Sequence, residues 1–269
     1  MRRILLATDL EADSENSAAF ALAIAHELDA ELTVYHAYGR PDLSQANLTP
    51  EEREARVLTK MRELMASVTG PSFGDVVVRY DADVDYPGDG VLGRVADGDF
   101  DLLTFGLRGH VANQNQFSGL AQRFFTEADT SILAIPPGAT FQGVREIVFA
   151  SDLDREDEVV LEQLQTWRRA MGAELYVVHV YDDGEDRDRA REVMTRWRDR
   201  YASAPNLHFE LMAGDFEHDI GAYVRQRGGD MLVLQSHTRG LFGRLFGHSA
   251  AEEIAHTVEV PLLVMRGEG

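Results

Sequence analysis

Residues Arg2 to Glu11 read RRILLATDLE, and Arg145 to Asp154 read REIVFASDLD. Each is a short apolar run cut by an aspartate, which reads as a buried strand running into a loop. The offset of 143 residues holds further on, where Ala30 to Tyr38 (AELTVYHAY) meets Ala173 to Tyr181 (AELYVVHVY). Two matches in one register, spanning a strand, a helix and a second strand, make an internal repeat. Asp101 to Gly119 (DLLTFGLRGHVANQNQFSG) then meets Asp230 to Gly247 (DMLVLQSHTRGLFGRLFG), but here the offset is 129. The first half thus carries 14 additional residues between Tyr38 and Tyr86, placed in the polar loop Gly39 to Leu48.

Outward from these anchors the first half alternates strand and helix. Ile4 to Thr8 is a strand, and Ser14 to Leu28 has Ala18, Ala21, Leu22, Ala25 and Leu28 at helical spacing. Leu32 to Tyr38 is the second strand. Thr49-Pro50-Glu51-Glu52 forms a capping box with proline at the first helical position, opening a helix that runs to Gly70-Pro71. Val76 to Tyr80, Leu102 to Phe105 and Ile132 to Ile135 complete the strands, with helices over Val91 to Ala96 and Leu120 to Ala128. The second half follows with strands at Ile147 to Ala150, Leu175 to Val180, His208 to Met212, Met231 to Leu234 and Leu262 to Met265. Alternation of short apolar strands with helices predicts an α/β fold: two repeated, doubly wound, five-stranded parallel sheets covered on both faces. The domains are read as 1–138 and 143–269, joined by the Pro136 to Gly143 linker.

Composition narrows the function. The 269 residues are 44% hydrophobic, enough for two cores, with no apolar segment of the ~18 residues that a membrane span needs. The apolar start at Ile4 is cut at Asp9, too early for a secretory signal, and there is no cysteine. The expectation is a cytoplasmic protein without disulfides, thiolate metal sites or membrane insertion. A net charge of −20, from 46 acidic and 26 basic residues with a single lysine (Lys60), argues against nucleic acid, whose phosphates need clustered cations. The acidic surface is read as a solvated one.

The segment after the fourth strand has the form of a phosphate cradle. Gly106, Gly109 and Gly119 allow close backbone approach to an anion, and a helix N-terminus follows. Its repeat has Gln235, Thr238 and His248 at the matching positions, so the second half is not expected to hold a triphosphate. Asp9 stands at the carboxyl end of a central strand, where open parallel sheets bind ligands. Helix capping accounts equally for Asp9, because Asp152 repeats it in the half without glycines. His36 and His179, inside strands, read as satisfied core histidines; His237 and His248 read as hydrogen-bonding loop residues.

These segments together resemble the universal stress protein family in its tandem form. ILLATDL and IVFASDL are similar to the family's first strand with its aspartate, and VYHAY and VVHVY to its second strand with a histidine. Leu211-Met212-Ala213-Gly214-Asp215 is similar to its glycine turn, and Ser249 to Ile254 followed by Val260-Pro261-Leu262-Leu263-Val264 to its carboxy-terminal stretch. The resemblance implies an adenine-nucleotide alpha-hydrolase-like fold, an internal pseudo-dimer of the two halves, and in some members a bound ATP. It would place Asp9 on the nucleoside, the Ala37 backbone on the adenine, and Arg108, Gly109 and the other loop glycines on the phosphates, with magnesium if triphosphate is held. Family members with nucleotide follow the last glycine with serine or threonine, whereas here Leu120 follows Gly119; counting back from the fifth strand puts Ser118-Gly119 at that pair instead.

No catalytic constellation is visible. Glu217-His218-Asp219 sits at a helix start, where charged residues are common, and no base for ATP hydrolysis can be named. Two functions stay open: a regulatory module holding ATP or another adenine nucleotide in the first half, or a nucleotide-free scaffold gripping a protein partner. The joining of two chains into a homodimer is also left open.

Overall fold

The computed structural model describes residues 2–11, 13–39, 48–70, 73–107, 119–181, 187–236 and 259–266, with only the backbone of Glu217. The chain falls into two compact units that change over between Phe141 and Gln142. Arg108, Gly109 and Ser118 lie outside the described residues, as do His237, His248 and the stretch 249–254.

The first unit contains β1 (Arg3–Ala7), α1 (Ser14–Glu27), β2 (Glu31–Tyr38), α2 (Pro50–Val68), β3 (Val78–Val84), α3 (Pro87–Gly98), β4 (Leu102–Gly106), α4 (Gly119–Glu127) and β5 (Ser131–Ile135). Its strands lie in the order β3-β2-β1-β4-β5, and every pair is parallel. Parallel strands covered on both faces need apolar side chains in both directions, and Ile4, Leu5, Leu6, Leu102 and Leu103 are fully buried. α1 is buried nearly all round, from Ser17 through Ala25. Its small Ser17, Ala18 and Ala21 let the helix lie close to the sheet. α2 starts with the expected capping box: Thr49 Oγ1 accepts from the Glu52 N–H at 3.2 Å, and Glu52 Oε2 accepts from the Thr49 N–H at 2.8 Å.

β3 differs from the sequence expectation of Val76 to Tyr80, starting at Val78 and running on to Val84. Aspartate disfavours strands, so DADVD carries little strand signal of its own. Tertiary partners reverse that preference: Arg94 Nε donates to Asp81 Oδ2 at 2.6 Å, and Asp83 lies near the buried Tyr35 hydroxyl, whose pKa burial and then the Asp83 charge push up.

The second unit contains β6 (Glu146–Ala150), α5 (Arg155–Met171), β7 (Glu174–Tyr181), α6 (Arg187–Arg200), β8 (Leu207–Ala213), α7 (Phe216–Arg227), β9 (Met231–Gln235) and β10 (Leu262–Met265). Its order, β10-β9-β6-β7-β8, is the first unit's order read from the other side, again all parallel. The repeat extends to single hydrogen bonds. Asp101 Oδ2 accepts from the N–H groups of Arg2 and Arg3, and Asp230 Oδ2 from those of Arg145 and Glu146. Both aspartates tie the start of the fourth strand of a unit to the start of its first.

Candidate functional site

In each unit the chain leaves the first strand toward one side of the sheet and returns to its other side with the fourth. In the first unit β1 therefore lies between β2 and β4, with Ala7 level with Phe105. The crevice past the carboxyl ends of these strands is the switch point at which such sheets take ligands.

One wall of that crevice is the turn after β1. Thr8 Oγ1 accepts from the Leu10 N–H at 3.1 Å, and Leu10 has a left-handed φ of 60°. Asp9 Oδ1 accepts from the Glu11 N–H at 3.0 Å and from the Ser14 hydroxyl at 2.8 Å. Asp9 is thus a turn former that shapes the entry to α1. Asp13, at the N-cap of α1, makes no side-chain capping bond.

The second wall is the end of β2. Odd-numbered residues of β2 bond toward β1, as in Glu31 N–H to Arg2 O (2.8 Å) and Thr8 N–H to Tyr35 O (3.0 Å). Even-numbered ones bond toward β3, as in Leu32 N–H to Val77 O and Asp85 N–H to Tyr38 O. The alternation turns the N–H and C=O of Ala37 toward β1, whose next acceptor is Thr8 O. That oxygen is bonded instead by His36 Nδ1 at 2.7 Å. Burial pushes the pKa of His36 down, so the ring is neutral with its Nδ1–H donating to Thr8 O. A strand histidine thereby ends the β1–β2 ladder and leaves the Ala37 peptide edge turned into the crevice.

The third wall begins with Gly106 at the end of β4 and resumes with Gly119 at the start of α4. A Cβ at Gly106 would lie 3.4 Å from Ser17 Oγ, while one at Gly119 would meet nothing within 4 Å. Leu120 in the first turn of α4 is 37% exposed. Three residues on, Arg123 pairs with Asp89 at 2.7 Å and with Glu127 at 2.9 Å. Beside the Asp9 turn, a cavity of about 330 Å³ is lined by Leu10, Glu11, Glu15, Lys60, Glu63, Leu64 and Ser67.

The second unit keeps this frame and changes its chemistry. Ser151 Oγ accepts from the Leu153 N–H at 3.0 Å, Leu153 has φ 59°, and His179 Nδ1 bonds Ser151 O at 2.7 Å. At the position of Ser14, however, stands Asp157, whose Oδ2 accepts from the Ser151 hydroxyl at 2.8 Å. Asp157 is 1% exposed, and burial, reinforced by the charges of Asp154 and Asp152, pushes its pKa up to about 7. Asp154 caps α5 through the N–H groups of Glu156 and Asp157. Gln235 replaces Gly106 and is buried.

The family model described as the universal stress protein family matches residues 1–136 and again 143–266. The chain belongs to the universal stress protein family. Two matches in one chain agree with tandem universal stress protein domains, and similar folds extend over the whole length. A universal stress protein from Archaeoglobus fulgidus superposes with a TM-score of 0.73 at 14% identity, covering 99% of this chain and 98% of that one. A functionally unknown protein from Pseudomonas aeruginosa gives 0.70 at 18% identity, covering 99% and 93%. A putative universal stress protein from the same species gives 0.67 at 19%, with the same coverages. No curated protein sequence matches the chain.

Of the residues that the universal stress protein resemblance selects, the structure brings Asp9, Ala37 and Gly106 to one end of the first sheet. Gly119 opens the helix that follows. Among the described residues no group of three or more acidic or histidine side chains is placed to hold a metal ion, and no helix is long and apolar enough to cross a membrane. The charged run at Glu217 is the first turn of α7, where Asp215 accepts from the His218 N–H and Asp219 Oδ2 from the Asp215 N–H. Sequence reasoning missed the replacement of Ser14 by Asp157 and the part played by Thr8 and Ser151. The signal was present: these residues stand at the same 143-residue offset as the strands.

Proposed function

We propose that the first unit is a regulatory adenine-nucleotide site and that its occupancy alters the surface offered to a protein partner. The observation that carries this reading is the Ala37 peptide edge, turned into the crevice by His36. A purine edge presents a donor beside an acceptor, and a strand's N–H and C=O can match it. Asp9 faces the same crevice for the nucleoside, and Gly106 admits the chain closely. Arg108, Gly109, Ser118 and Gly119 form the phosphate side of the proposal, with ATP and magnesium as the first ligand to test. No residue is assigned a catalytic role.

Calorimetric titration of nucleotide-stripped protein with ATP and magnesium, at low and at high salt, tests the reading. One equivalent bound, and its loss in Gly109→Val, is the expected result. No heat and no thermal shift at either salt would leave the second reading, a nucleotide-free adaptor. Gln235 and the buried Asp157 favour that second reading for the second unit, because a carboxylate behind the crevice opposes phosphate and a side chain fills the place of glycine.

A further inference from the structure

The two units finish their sheets differently. β3 is the outermost strand of the first, next to β2 alone, and β8 that of the second, next to β7 alone. Val77 O accepts from the Leu32 N–H and the Asp85 N–H donates to Tyr38 O, so odd-numbered residues of β3 bond inward. The N–H and C=O groups of Val78, Tyr80, Ala82 and Val84 therefore point outward, and among the described residues nothing bonds them. By the same alternation Phe209, level with Tyr80 in the repeat, turns its carbonyl outward in β8. There Arg198 Nη2 donates to it at 3.1 Å. An unpaired edge invites another strand, and the second unit blunts its own with this arginine.

The residues along the β3 edge differ as well. Of the four large apolar residues exposed among the described ones, Val77 (50%), Val84 (54%) and Tyr86 (78%) lie on this strand or beside it. The second unit has Asn206, Ala213 and Asp215 in their places. Asp81, Asp83 and Asp85 lie on the opposite face of the strand from Tyr80 and Val84. Arg94 takes Asp81 at 2.6 Å, and Arg79 is held by Glu31 at 3.1 Å. Among the described residues no cation pairs with Asp83 or Asp85, whose counterparts in the second unit are Met212 and Gly214.

We infer that the edge of β3 takes an extended segment of a basic protein partner as an added strand, its cations over Asp83 and Asp85 and its alternate apolar side chains over Tyr80 and Val84. Main-chain bonds to Val78, Tyr80, Ala82 and Val84 supply affinity, and the alternation of side chains supplies the choice of partner. A second copy of the chain is a poorer occupant. Each copy carries a charge of −20, and β3 laid against itself brings its aspartates to one face. The edge lies on a strand's side, outside the nucleotide reading, and needs no ligand in the crevice.

The test is an anisotropy titration of the nucleotide-free full chain with a dye-labelled peptide of alternating lysine and valine, matched to the seven residues of β3. The peptide should bind. Ala82→Pro, which removes one outward N–H at an edge position that tolerates proline, should weaken it about tenfold. Asp83→Asn combined with Asp85→Asn should weaken it about three- to tenfold, and high salt should erase that difference. This pair leaves the backbone as it is and decides the matter if the proline variant does not fold. A peptide with proline in place of valine keeps the charge and loses ladder donors. Equal binding of that peptide would reduce the attraction to the chain's overall charge and overturn the inference. So would no binding of the lysine–valine peptide, or unchanged affinity in either folded variant. A dimer in light scattering that Ala82→Pro splits would give the edge to a second copy instead. Each of these results leaves the nucleotide reading intact, since no nucleotide is present.

Discussion

The Ser151 hydroxyl donates to the Asp157 carboxylate at 2.8 Å, whereas in the first unit the Ser14 hydroxyl donates to Asp9 at the same distance. The helix residue is the acceptor in one unit and the donor in the other. The second unit consequently buries an acid where the first holds a neutral hydroxyl.

That difference predicts a pH dependence confined to one unit. A carboxyl whose folded pKa is about 7, against an ordinary 3.8, makes the folded state prefer the protonated form. Its cost is absent below pH ~4, grows between ~4 and ~7, and is constant above. Asp157→Asn should match the parent at pH 4 and exceed it by about 2–4 kcal/mol at pH 8, from the worth of one pKa unit. Urea unfolding of both proteins across that range measures it, and a constant difference at every pH would refute the assignment.

Two glycines of α3 should respond with opposite sign. A Cβ at Gly90 would stand 2.8 Å from Tyr35 Oη and 2.9 Å from Ala37 Cβ, while one at Gly93 would meet nothing within 4 Å. Gly90→Ala should cost about 1–3 kcal/mol through overpacking and displace Ala37 at the crevice. Gly93→Ala should stabilise by about 0.5–1 kcal/mol through helix propensity. Denaturation midpoints of the two variants decide between packing and propensity.

His36 can be tested through the ladder that it interrupts. In His36→Leu the Thr8 carbonyl loses its ring partner at 2.7 Å. The Ala37 N–H is then the nearest backbone donor in register to take it. Adenine affinity should fall about tenfold, as expected for one hydrogen bond withdrawn from a ligand. Titration with adenosine reads this directly, and unchanged affinity would detach the Ala37 edge from recognition.

The capping box of α2 offers a local check. Thr49→Ala removes the acceptor of the Glu52 N–H and should cost about 1 kcal/mol. Glu52→Ala removes the reciprocal bond, and the double variant should lose less than the sum of the two single losses if the box acts as a unit. A double-mutant cycle on urea midpoints measures the coupling.

The sequence by itself determined the repeat, the alternation of strands and helices and the parallel sheets. Those features rest on local apolar periodicity, copied at fixed offsets, and local pattern suffices to choose strand or helix. It also marked Asp9, Ala37, Gly106 and Gly119 through the family resemblance. The tertiary structure decided what depends on residues far apart in the chain. Asp81 and Asp83 belong to a strand because Arg94 and Tyr35 receive them. His36 shapes the crevice because Thr8, 28 residues earlier, lends it a carbonyl. Asp9 and Asp152 look alike in sequence, yet Ser14 and Asp157 give their turns different charge. A hydrogen-bond partner is fixed by packing in three dimensions, and no periodicity along the chain encodes it.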